Sequence, residues 1–163
     1  MKNIIGALAL TLAATSAFAW PKVGDVADYD IVITQGTQTQ AISMTVATTS
    51  IDASKDLIVQ TTILSANGRT QSQQQSGKLS DMQNLANAIP GVLAQCASRG
   101  GTLENIVTPA GTFNSCKLAN NDSETTGFVW IADVVNGWSK ITQTNNASGQ
   151  VTTATMHAFK AAQ

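Results

Sequence analysis

Along most of this chain apolar side chains alternate with polar ones, and a period of two predicts strands. Ala27, Tyr29, Ile31 and Ile33 alternate with Asp28, Asp30 and Val32, which gives the first strand one apolar face. Ile42, Met44 and Val46 alternate with Ser43, Thr45 and Ala47 in the same way. Leu57 to Leu64 reads as a third strand with apolar residues on both faces. Asn67-Gly68 is a hairpin signal, because both residues tolerate positive φ. Arg69 to Ser76 follows as a polar strand, with a loop as the alternative for Gln73-Gln74-Gln75.

One segment changes period. Met82, Leu85, Ala86, Ile89, Leu93 and Cys96 recur at spacings of three and four, which makes one apolar helical stripe. Ser80 with Gln83 three residues on has the form of a capping box, and Gly100-Gly101 ends the segment. Pro90 has no backbone donor and predicts a kink or the start of a second short helix. Strands then resume at Thr102 to Val107, Thr112 to Leu118, Phe128 to Val134, Trp138 to Thr144 and Val151 to Phe159, with turn residues between them. Helix and strands do not alternate, which argues against a parallel sheet. The expected fold is mainly β (α+β): a curved antiparallel sheet or open half-barrel of about eight strands, with one kinked helix packed on it.

The first nineteen residues do not belong to that pattern. Lys2 supplies a positive start, Ile4 to Ala14 is apolar apart from Thr11, and Ala17-Phe18-Ala19 is an Ala-x-Ala site. These are the three zones of a cleaved secretory signal, and the apolar run is too short to span a bilayer. Residues 1–19 are therefore expected to be removed, and 20–163 to form a single exported β-rich domain in the periplasm or outside the cell. No Cys follows the cleavage site to carry a lipid, and no later apolar run suggests a transmembrane anchor. Removing Lys2 takes the formal net charge from -1 to -2, with the remaining Lys and Arg scattered singly. Nucleic acid and anionic membranes are thus unsuited partners, since both need clustered positive charge.

Candidate chemistry is sparse. Cys96 and Cys116 are the only cysteines, and an even count in an exported chain points to a disulfide. It would pin helix to sheet. The alternatives are a thiol nucleophile with His157 as base, or a metal site, for which the two Cys and His157 supply three ligands at no fitting spacing. His157 reads as a rim residue of the last strand. Asp25, Asp28 and Asp30 resemble a carboxylate cluster, and a solvated strand face explains them equally well. No P-loop, Gly-x-Ser-x-Gly or His-Glu-x-x-His occurs. No catalytic residue, metal site or cofactor is expected. Phe128, Trp130 and Trp138, with Leu85 and Ile89 of the helix, are either core or the lining of an apolar groove between sheet and helix. Asn121-Asp122-Ser123 and Asn146-Ala147-Ser148 match the glycosylation sequon but read as turns.

The run Thr108-Pro109-Ala110-Gly111-Thr112-Phe113-Asn114-Ser115-Cys116-Lys117, followed by Val129-Trp130-Ile131-Ala132-Asp133-Val134, resembles exported bacterial proteins related to the DUF3108-type domains. In these a PAGTF-x-x-CK turn and strand precede a W-x-x-x-VP-G-x-x-K hairpin. Here Val135-Asn136-Gly137 stands where that pattern has Pro-Phe-Gly, and Lys140 keeps its Lys. The resemblance covers about a quarter of the chain. It implies a curved β-sheet broadly like the half-barrels of periplasmic lipoprotein carriers, and it implies no catalytic residues.

Three functions are compatible with this reading. The leading expectation is a non-enzymatic periplasmic or secreted domain that binds an apolar or amphiphilic small molecule in its sheet concavity. The second is a structural or protein-interaction module of the cell envelope. The third is a hydrolase using Asp28, Asp30 or His157. The sequence leaves the oligomeric state open.

Overall fold

The computed structural model describes residues 20–162; the expected export segment, 1–19, lies outside them. The strands are β1 (Val26–Gln35), β2 (Gln38–Asp52), β3 (Leu57–Ala66), β4 (Arg69–Lys78), β5 (Thr102–Thr108), β6 (Gly111–Ala119), β7 (Thr125–Ile131), β8 (Trp138–Asn145) and β9 (Val151–Lys160). They form one antiparallel sheet in the order β4-β3-β2-β1-β9-β8-β7-β6-β5. The chain meanders outward from the middle to β4, crosses over on helix α1 (Leu79–Ala94), and meanders back from β5 until β9 closes against β1. Among the described residues this is the open antiparallel sheet with a single α-helix that the hydrophobic periods predict.

The sheet is strongly curved. Cα atoms of β5 and β9 come within 8 Å, although they are four places apart and a flat sheet would separate them by about 19 Å. Register shifts near Asp28/Tyr29, Thr48/Ser50 and Trp130/Ile131 mark bulges, and bulges add local twist.

Curvature lets one core form under the β1–β9 seam. Ala27, Tyr29, Ala132, Val134, Val135 and Met156 are buried together, flanked by Met44, Val46, Phe113, Trp138 and Phe159. Three of the residues expected to end β7, Ala132, Asp133 and Val134, behave differently from that expectation. The strand stops at Ile131, and Ala132 to Val135 leave the ladder. Asn136 has φ 66 in the short 3-10 turn Val135–Gly137. An apolar run satisfies a buried loop as well as a strand, so its period cannot separate the two.

The helix also departs from expectation at its start. Ser80 does not cap it. Lys78 holds the N-cap position without a side-chain hydrogen bond. The Asp56 carboxylate accepts instead from the Ser80 amide and hydroxyl, both at 2.7 Å. These bonds hold the Asp56 carboxyl below its ordinary range. Pro90 lies inside one continuous helical element and does not begin a second helix. Of the expected stripe, Ile89 is buried and sits against Gly137, whereas Leu85 is 44% exposed.

Tyr29 stacks on Trp138 with ring centroids 4.0 Å apart and planes at 16°. It is 1% exposed, and its hydroxyl makes no well-formed hydrogen bond. Burial pushes that hydroxyl above its ordinary value of 10.0, against a smaller opposing pull from the Asn136 side chain. A raised folded-state value means stability is present below pH 10 and lost as pH rises above it. The expected slope is at most about 1.4 kcal/mol per pH unit. Tyr29→Phe should remove this alkaline loss while changing stability at pH 8 by less than about 1 kcal/mol. Denaturant titrations of both proteins from pH 8 upward check it, and parallel slopes would contradict it.

Candidate functional site

The cross-strand register builds an open trough on the β2–β4 wing. Met44 pairs with Leu64, Leu64 with Gln71, and Ala66 with Arg69, so these residues share one face, and Ile42 lies two residues from Met44 on it. Ile42, Leu64 and Ala66 form the floor. Gln40, Asn67, Arg69 and Gln71 form the rim of a hollow of about 560 Å³. A neighbouring hollow of about 460 Å³ continues along Thr62, Leu64, Gln71 and Gln73. A third, of about 270 Å³, reaches Ile58, Gln60, Gln75, Asp81 and Met82 at the foot of the helix. Leu64 is 38% exposed, so its apolar surface is open to a ligand. The Gln60 amide donates to the Asn136 side chain at 3.3 Å and ties the wing to the core loop. Arg69 enters no ion pair among the described residues.

The residues expected from sequence to line a groove are placed apart. Lys117, Trp130 and Lys140 are direct cross-strand partners and share a face. The adjacent Cys116 is bonded to Cys96 after the helix. Trp130 is 5% exposed, and its indole N–H donates to the Glu104 carboxylate. Lys117 and Lys140 hold their ammonium groups 5.2 and 4.9 Å from that ring. Phe128 lies beside it, tilted, at 6.2 Å. Trp138 is in the core stack with Tyr29, Ile89 meets the Val135–Gly137 turn, and Leu85 faces solvent. The structure thus joins Phe128 to Trp130 but does not bring the five residues into one groove.

The acidic residues divide similarly. Asp25 is buried and separate from the other two. Its carboxylate accepts from the Lys22 amide at 2.5 Å and the Ala162 amide at 2.8 Å, which ties the segment before β1 to the one after β9. Asp28 accepts from the Thr45 hydroxyl at 2.5 Å. Pairing of β1 with β9 brings His157 to Asp30, with Nδ1 and Oδ2 2.9 Å apart. Both side chains are more than half exposed. An exposed pair of this kind is a surface contact of small energy. Among the described residues no group of three or more His, Cys, Asp or Glu could hold a metal ion. Cys96 and Cys116 are joined, with Cα atoms 5.6 Å apart.

Sequence reading missed the trough, though a signal for it existed. A two-residue Asn67-Gly68 hairpin fixes the register and places Gln71 opposite Leu64.

A curved, open antiparallel sheet crossed by one helix defines the class of fold. The same arrangement is found in an exported-protein candidate from Bacteroides fragilis NCTC 9343 described as having a YmcC-like fold. The two chains are 13% identical with a TM-score of 0.55, over 88% of this chain and 99% of that one. This chain thus has a YmcC-like fold. Looser likenesses are a lipoprotein candidate from Parabacteroides distasonis ATCC 8503 (11% identity, TM-score 0.46, 88% and 98% covered) and MucB in complex with MucA(peri) (11%, 0.47, 85% and 51%). No protein-family model and no curated protein matches the chain.

Proposed function

We propose that this chain is an exported, non-enzymatic binding module that takes an amphiphilic ligand into the trough of the β2–β4 wing. The carrying observation is the lining of that trough. Ile42, Leu64 and Ala66 offer an apolar floor, while Gln40, Gln71 and the Arg69 guanidinium offer hydrogen bonds at its rim. Its volume lies within the range of small-molecule sites. A chain with an apolar tail and an anionic head satisfies both parts, with the head at Arg69. The oxidised cysteine pair is in keeping with a periplasmic or secreted location. Removal of residues 1–19 belongs to the same proposal. A structural or protein-interaction role in the envelope is the second reading, favoured by the full exposure of β4.

Native mass spectrometry of protein purified from its own cell envelope tests the proposal. Wild type and His157→Ala should carry a small-molecule adduct, and Leu64→Glu should lose it while melting normally. Wild-type protein free of any small-molecule adduct would overturn the ligand, as would equal retention by Leu64→Glu. A protein-sized adduct would promote the second reading.

A further inference from the structure

Strand β4 is a free edge. All ten of its residues are exposed, and among the described residues the sheet supplies a partner only on its β3 side. The other edge, β5, curls back toward β9. No Pro interrupts β4, and its only charges are Arg69 and Lys78 at the two ends. A long, regular edge of this kind lacks the usual protections against pairing with another strand.

Which backbone groups are free follows from the turn. Asn67 and Gly68 have φ of 51° and 73°, the two positive values of a two-residue type I′ hairpin. Ala66 and Arg69 flank that turn and exchange both backbone hydrogen bonds. Counting from there, Arg69, Gln71, Gln73, Gln75 and Gly77 direct their N–H and C=O groups at β3. Thr70, Ser72, Gln74 and Ser76 direct theirs outward. The 3.1 Å hydroxyl contact of Ser65 with Thr70 fits the close side-chain spacing of a pair without mutual backbone bonds.

We propose that this edge pairs antiparallel with β4 of a second copy of the chain, about a two-fold axis at Gln73. An isologous seam must set outward-facing residues opposite outward-facing residues. An axis at Gln74 does so, but it opposes Arg69 to Leu79, where the helix begins. An axis at Gln73 pairs Thr70 with Ser76 and Ser72 with Gln74 through backbone bonds. On the trough face it sets Gln71 against Gln75 and Gln73 against its own copy. Each primary amide carries donors and an acceptor, so these side chains match themselves. Arg69 falls opposite Gly77, and no cation faces a cation. The seam continues the sheet from one copy into the other, placing the two troughs side by side. It stands on the edge geometry and does not depend on the identity of the trough's ligand.

Sedimentation equilibrium of the exported protein should give a dimer in the micromolar range. Gln74→Pro removes one outward donor and leaves the β3 ladder intact, so it should be monomeric with an unchanged melting temperature. Gln73→Lys sets like charges against each other at the axis and should weaken the dimer on the order of tenfold or more. Gln73→Cys should form an intermolecular disulfide, since directly opposed Cα atoms in such a pair lie about 4.5 Å apart. Val107→Cys on β5 should not. A wild-type monomer throughout that range overturns the seam. So does a dimer that survives Gln73→Lys, or cross-linking at Val107 equal to that at Gln73.

Discussion

Serine at Cys96 or Cys116 should lower the stability of the folded domain by about 3 kcal/mol, the chain-entropy value for a loop of this size. The bond joins residues 20 apart in sequence, one just after the helix and one in β6. Both are buried, so either substitution also leaves a lone thiol or hydroxyl where sulfur was packed. The bond fastens the C-terminal end of α1 to the sheet at the point where the crossover delivers the chain to its far edge. Gly101 shows how tight this junction is. A Cβ there would lie 2.8 Å from both sulfurs and from the Leu118 side chain. In a domain of this size the loss should appear as a fall in melting temperature of roughly 10 °C. Thermal melts of wild type and both serine variants decide it. Equal melting temperatures would remove the bond from the forces holding helix to sheet.

The strands were legible because each has a period of two or an apolar run between turn residues. The observed β1, β3, β5, β6, β8 and β9 lie within a few residues of their expected limits. β2 extends at both ends beyond its apolar stripe, because backbone pairing with β1 and β3 continues through its polar residues. The cap on α1 was not legible. Asp56 lies 24 residues before Ser80, and only the folding of β3 and β4 into a hairpin brings them together. The expected groove drew on the aromatic residues, but one ladder separates their faces. Lys117, Trp130 and Lys140 share a side, while Trp138 follows the bulge into the core with Tyr29. The trough lies instead among glutamines, whose polarity hid the apolar floor behind them.

Trp130→Ala should be the most damaging of the aromatic substitutions outside the Tyr29 stack, at about 3 to 5 kcal/mol. The ring is 5% exposed although it lies on a sheet face, because its neighbours cover it. Lys117 and Lys140 flank it in register and lay their side chains across it. Such stems bury apolar length while the charge stays near water, and each cation over a ring adds about 0.5–1 kcal/mol. The indole N–H also occupies the Glu104 carboxylate. Alanine removes the packed ring, both cation contacts and that hydrogen bond together, and strands Glu104 beside the space left behind. Phe128 is the internal comparison. It is 43% exposed and has the Lys117 ammonium 4.3 Å from its ring, so Phe128→Ala should cost about 1 kcal/mol. Chemical denaturation and ligand retention measured on the same samples separate structure from binding. A packed Trp130 predicts a large loss of stability with the trough's ligand still bound by the folded fraction. A cost below about 1 kcal/mol accompanied by loss of the ligand would instead make this face, and not the β2–β4 wing, the binding surface.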